Sequence, residues 1–221
     1  MAGLSLRVHR NVAIKTMSIR IKRHLQSCYP EIADLLGGMP TVPKLKRRDM
    51  PLPEALVRVV AGQMLSARAA TTIYERVRSR AQSEKLAGSW LLDHDSLRAC
   101  GLSGGKARAI CELAARVGSD PGALNHWYAL PPDELVAAIK EQRGLGDWTA
   151  SIISLFYIGH EDIFPAADGS IRRAIALIEG KSGKRRVRRF DPDVATPYRS
   201  YLAMYLWRAL DAGLLASHPG K

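Results

Sequence analysis

Gln142-Arg-Gly-Leu-Gly-Asp-Trp-Thr-Ala-Ser-Ile-Ile-Ser-Leu-Phe-Tyr-Ile-Gly-His-Glu-Asp-Ile-Phe-Pro-Ala-Ala-Asp-Gly-Ser-Ile-Arg-Arg-Ala174 is the stretch whose reading decides the fold. Gly144 and Gly146 form a tight Gly-x-Gly turn that runs into an apolar helix over 148–158. Glycines there permit positive φ and close approach of a phosphate to the backbone. The helix that follows can offer its N-terminal N–H groups to that phosphate. Further along, Asp168 stands just before another helix. A phosphate anchor followed by a lone carboxylate points to chemistry on a nucleotide.

The bulk composition is consistent with this. The chain has 221 residues, enough for a sizeable core in one or two lobes. Hydrophobic residues make up 47% and charged residues 24%, which is ordinary globular usage. The net charge of +12 favours polyanionic partners, nucleic acid before anionic membrane, although a merely soluble basic protein carries the same sign. Cys28, Cys100 and Cys111 are odd in number and widely spaced. That argues against a disulfide framework, an iron–sulfur cluster or a Cys-rich zinc site. The six histidines show no metal-ligand spacing. No run has the length of a membrane helix or of a signal-peptide core, so a reducing, cytoplasmic or nucleoid location is expected.

Apolar residues recur at three and four almost throughout, so the fold class is all-α. A first amphipathic helix is expected over 17–36, with Ile19, Ile21, Leu25 and Ile32 inward. Residues 39–53 hold Pro40, Pro43, Pro51 and Pro53 with the basic run Lys44–Arg48, and read as a connector. Residues 54–79 read as helical, with Leu56, Val59, Val60, Met64 and Leu65 on the apolar side and a break allowed at Ser66–Ala67. Two helices flank the Gly101–Gly105 turn. Pro131 opens a helix that ends near Gln142. Thr196-Pro197 reads as a cap and first residue of a last helix, 197–213.

Each candidate has a plain structural reading beside the functional one. The 135–157 unit is a helix–hairpin–helix or an ordinary αα corner with a glycine cap. Asp168 is an N-cap, and a carboxylate held at a helix start is also stabilised as an anion, as an electrostatic catalyst requires. Trp148 and Trp207 are core residues or the walls of a pocket for a flat base, favouring a cationic one by ~0.5–2 kcal/mol. Residues 181–189 place six cations in nine positions, a phosphate-binding loop or a solvated insertion.

Four blocks together resemble the helix–hairpin–helix (HhH-GPD) DNA glycosylases, and within them the 3-methyladenine DNA glycosylase II branch. They are Val60-Ala-Gly-Gln-Met-Leu-Ser-Ala-Arg-Ala-Ala70, Leu97–Ser103 with Lys106-Ala107, Gly144–Asp168, and Pro197–Trp207. The resemblance implies a two-lobed all-α fold with the active cleft between the lobes. Lobe A would span about 51–160, including the hairpin at 135–157, and lobe B about 1–50 plus 161–221. It implies Asp168 as the catalytic carboxylate, Trp148 and Trp207 at the base pocket, and Met64 as the wedge that fills the gap left by a flipped nucleotide. Gly144, Leu145, Gly146 and Thr149 would meet the DNA backbone. The main-chain carbonyls of Lys140, Gln142 and Leu145 would hold a structural Na+ or K+, with no other cofactor and no iron–sulfur cluster.

The implied activity is monofunctional excision of alkylated purines, of the 3-methyladenine and 7-methylguanine type, from damaged double-stranded DNA. This is the opening step of base excision repair, and a monomer is expected. Bifunctional relatives carry a lysine where this chain has Trp148, and without that amine no Schiff base forms with the sugar. Two alternatives remain at this point: a non-catalytic helix–hairpin–helix damage-binding protein, and a glycosylase/lyase.

Overall fold

A computed structural model describes residues 16–181 and 189–215. Its helices are α1 (16–28), α2 (Ala33–Gly38), α3 (Leu52–Gly62), α4 (Ala67–Ser83), α5 (His94–Ala99), α6 (Gly104–Ser119), α7 (Pro132–Lys140), α8 (Asp147–Ile153), α9 (Gly169–Lys181) and α10 (Arg199–Asp211). Short 3-10 turns connect several of them, and no strand occurs among the described residues. Lys46–Gly159 forms one compact unit; the described residues before and after it form a second, discontinuous one.

In the Lys46–Gly159 unit, α3 runs through the core. Its Leu52, Ala55, Leu56, Val59 and Val60 are buried, the spacing of a broad helical stripe. It packs on α4, α6 and α8. Trp127, Leu97, Ile110, Leu135 and Ile139 fill the same core. Three helices here start on side-chain caps: Ser66 accepts from Ala69 N–H (3.3 Å), Asp93 from Ser96 N–H (2.7 Å) and Ser103 from Lys106 N–H (3.4 Å). Each such cap contributes about 1 kcal/mol. After Ile153 the chain widens into a π-turn, Ser154–Ile158, closed by Gly159 N–H on Ser154 O (3.0 Å). Gly159 has φ +91°, and a Cβ there would stand 2.6 Å from the Lys46 carbonyl carbon.

The discontinuous unit is organised by α10. Its Tyr201, Leu202, Ala203, Tyr205, Leu206 and Ala209 are buried, and it packs on α9. Two buried tyrosines tie it to the Pro-rich connector: Tyr201 Oη accepts from Leu45 N–H (3.2 Å) and Tyr205 Oη from Val42 N–H (3.3 Å).

Four sequence expectations change. The helix expected over 17–36 is divided at Tyr29–Pro30, since proline cannot continue an α-helix interior. Ile19 is exposed rather than inward. Residues 54–79 form two helices that part before Ser66–Ala67, and Met64 and Leu65 leave the apolar face to stand exposed in the loop between them. Pro197 does not open the last helix: Thr196–Pro197 is a cis bond, and α10 starts at Arg199. The reason lies in residues 161–162, where the Asp162 carboxylate accepts from Arg199 N–H (3.2 Å) and Glu161 O from Ser200 N–H (3.1 Å). Those acceptors satisfy the first turn two residues later than a Thr196 cap would.

Candidate functional site

α7 and α8 pack against one another as a helical hairpin across residues 141–146. Leu135 and Ile139 from α7 and Ala150 and Ile153 from α8 are buried together in the core. The Lys140 ammonium bonds the Asp147 carboxylate at 2.6 Å across the turn. Only one of the two glycines uses its conformational freedom. Gly144 has φ +78°, and a Cβ there would stand 2.9 Å from the Ala109 Cβ. Gly146 has φ −98°, which any residue adopts, and a Cβ there would meet nothing within 4 Å. Gly146 is the N-cap of α8 and offers no capping side chain. The expectation that both glycines serve positive φ is therefore corrected, and what Gly146 provides is an open approach to a helix start.

Of the other backbone candidates, Leu145 is buried and Thr149 is 1% exposed. The Thr149 hydroxyl is taken up inside the protein, accepting from Gln63 Nε2–H at 2.9 Å. Thr149 is therefore buried and held inside the unit, not presented to a phosphate. Trp148 is half-buried and packs against the core of its unit.

Met64 is fully exposed, at 100%, and has φ +58°. For a residue with a Cβ that conformation costs about 1–2 kcal/mol. An exposed apolar side chain on a strained loop between two helix ends is poorly explained by stability alone. The same groove that Met64 rims is lined by Ser103, Lys106, Arg108, Arg143 and Gly144. Sequence reading gave no role to Gln63 or Lys106, which the fold joins to this loop. The available signal was a polar residue at the end of the apolar α3, directly before Met64.

The second group lies in the discontinuous unit. Asp168 caps α9, its Oδ1 accepting from Ile171 N–H at 3.0 Å. The same oxygen accepts from Trp207 Nε1–H, also at 3.0 Å. Trp207 comes from α10, whose buried face fixes it, so two helices orient one carboxylate. Both residues are half-buried. The cap reading of Asp168 is thus satisfied, and a second donor reaches across from a different helix. Residues 182–188, most of the basic insertion, lie outside the described residues.

Residues 57–191 match the model of the HhH-GPD superfamily base excision DNA repair proteins. The chain belongs to that superfamily. Among relatives of this HhH-GPD chain, DNA-3-methyladenine glycosylase 1 of Schizosaccharomyces pombe is 27% identical over 161 residues, covering 70% of this chain and 71% of the relative. A putative DNA-3-methyladenine glycosylase of Bacillus subtilis is 24% identical over 168 residues, and the match spans 71% of this chain but 58% of that protein. The solved Schizosaccharomyces pombe 3-methyladenine DNA glycosylase, in complex with abasic DNA, superposes with a TM-score of 0.68 at 23% identity. That comparison covers 87% of this chain and 97% of the other, and it shows the all-α HhH-GPD fold. Among the described residues no group of three or more His, Cys, Asp or Glu is placed to hold a metal, and no helix is long and apolar enough to cross a membrane.

Proposed function

We propose that this chain is a monofunctional DNA glycosylase that removes alkylated purines from duplex DNA. The observation that carries the reading is the Asp168 carboxylate held by both the α9 start and the Trp207 indole. The names of its relatives support the substrate class. The hairpin takes the backbone phosphates at Gly144–Gly146 and the start of α8. Met64 enters the stack where the damaged nucleotide leaves it, replacing contacts whose loss costs a few kcal/mol. Trp207, which bonds Asp168, supplies an aromatic face for a purine made cationic by N3- or N7-alkylation, and Trp148 is the aromatic candidate of the hairpin unit.

Such a base is already a good leaving group. The C1′–N bond breaks and its electron pair stays with the base, neutralising it. Positive charge then develops on the sugar, where the ionised Asp168 stabilises it. Water adds its oxygen to C1′ and gives up a proton, leaving an abasic site and an intact strand. Trp148 offers no amine for imine formation at C1′, so the strand is not cut. Lys140, Gln142 and Leu145 would hold Na+ or K+ through main-chain carbonyls. Helix-end carbonyls are hard oxygen donors suited to such an ion, and the Gln142 oxygen keeps a lone pair after accepting from Leu145 N–H (3.1 Å). A cation held by these carbonyls would supply positive charge to the hairpin.

The test is mass spectrometry of bases released from methylated duplex DNA, paired with a nicking assay with and without alkali. Release of N3- or N7-methylpurines, with cleavage only after alkali, is expected. Abasic-DNA binding without base release would favour a damage-binding protein. Cleavage without alkali, with a borohydride-trapped adduct, would favour a lyase.

A further inference from the structure

The Met64 loop is held by two side chains, one from outside it and one of its own. The Lys106 ammonium donates to Ala61 O (3.1 Å) and Gln63 O (2.7 Å), carbonyls at the end of α3. The Gln63 carboxamide donates to Gly144 O (3.1 Å) and Thr149 Oγ1 (2.9 Å), one in the hairpin turn and one in α8. The position of Lys106 is otherwise unfavourable. It stands in the first turn of α6, where a helix dipole disfavours a cation, and burial pushes its pKa below the usual lysine value. Its charge instead serves the end of α3, where orphan carbonyls and the opposite dipole favour a cation. Both carbonyls lie just before Met64, the residue that must hold φ +58°.

We propose that Lys106 and Gln63 are positioning residues that lock the Met64 loop to the hairpin, so that insertion into the stack and grip on the phosphates act as one movement. The consequence for catalysis rests on the glycosylase reading above; the lock itself does not. It requires that the loop lose its order when either tie is cut, while the electrostatic footprint on DNA stays the same.

The experiment uses the full chain with Lys106→Met, Lys106→Arg and Gln63→Ala. Amide hydrogen exchange of the free proteins is read at Gln63 and Leu65, and the salt dependence of undamaged-duplex binding is measured beside it. Flipping is followed with a fluorescent adenine analogue, and base release on methylated duplex under single turnover. Lys106→Met should speed exchange at both amides, leave the salt slope unchanged, and slow flipping and release together by roughly ten- to a hundredfold. Lys106→Arg should recover part of both, and Gln63→Ala should match Lys106→Met in direction.

Unchanged exchange with a salt slope smaller by about one would overturn the proposal and make Lys106 a phosphate contact. Should Lys106→Met fail to fold, Gln63→Ala decides on the same readouts. A wild-type chain that releases no base sinks the glycosylase reading, while the exchange data still decide the lock.

Discussion

Two helices of this protein begin in opposite ways. α9 opens on Asp168, whose carboxylate caps the Ile171 N–H and is braced by Trp207. α8 opens on Gly146, which brings no side chain to its helix start. Every helix start carries unpaired N–H groups and roughly half a positive charge. At α9 the chain supplies the anion itself and fixes it. At α8 it leaves a place that an anion from outside can fill. On the function proposed above, the same backbone physics would serve chemistry in one unit and grip in the other.

The comparison breaks most sharply at Asp168. Asparagine caps a helix about as well as aspartate, so Asp168→Asn should melt near the wild-type temperature. It removes only the charge, and base release should fall by roughly 10²–10³ with DNA binding kept. Asp168→Ala should lose the cap as well, lowering stability by about 0.5–2 kcal/mol. Single-turnover excision and thermal melts of the two variants separate the roles. An asparagine variant that excises at near wild-type rate would reduce Asp168 to a helix cap.

The converse change tests α8. Gly146→Asp gives that helix the anion that α9 already has. The backbone there suits any residue and a Cβ meets open space, so stability should move by only a few tenths of a kcal/mol. DNA affinity should fall about tenfold for all sequences alike, because a carboxylate now repels the phosphate. Gly144→Val is the contrasting control: positive φ and the nearby Ala109 Cβ make it a folding defect, costing about 1–3 kcal/mol. Fluorescence anisotropy across a salt series, beside urea melts, distinguishes the two. Unchanged affinity in Gly146→Asp would mean that phosphates do not use this helix start.

The sequence made the helices, the hairpin and Asp168 legible because each rests on a local pattern: a three-four stripe, a glycine turn, a short polar residue before a helix. The partners of those residues were not legible. Trp207 stands 39 positions from Asp168, and its hydrogen bond depends on how α9 packs on α10. Gln63 reaches Thr149 from 86 positions away. The apolar character of Met64 suggested a buried helical face, whereas α3 ends at Gly62 and leaves it exposed. Gly-x-Gly likewise implied two special backbones, and only Gly144 has one.

The smallest expected effect concerns the segment that leads into α9. It begins at His160, whose Nδ1 is buried without a hydrogen-bond partner among the described residues. The Ser200 hydroxyl binds the same segment, 2.8 Å from His160 O and 3.0 Å from Ile163 O, and accepts from Ile163 N–H at 2.9 Å. Burial holds the His160 pKa below its ordinary 6.5. The folded state therefore favours neutral imidazole. Its contribution is complete above the unfolded value and is lost as pH falls through the lower folded value. Urea midpoints should drop between pH about 8 and about 5, and the drop should shrink in His160→Gln, which does not titrate. Hydrogen exchange ties this to the comparison. Corrected for intrinsic rates, the Ile171 amide should lose protection on acidification, while the Ala150 amide, bonded to Gly146 O at 3.0 Å in the other unit, should not. Equal loss at both amides, or an identical pH dependence in His160→Gln, would show that the two helix starts do not differ in this respect.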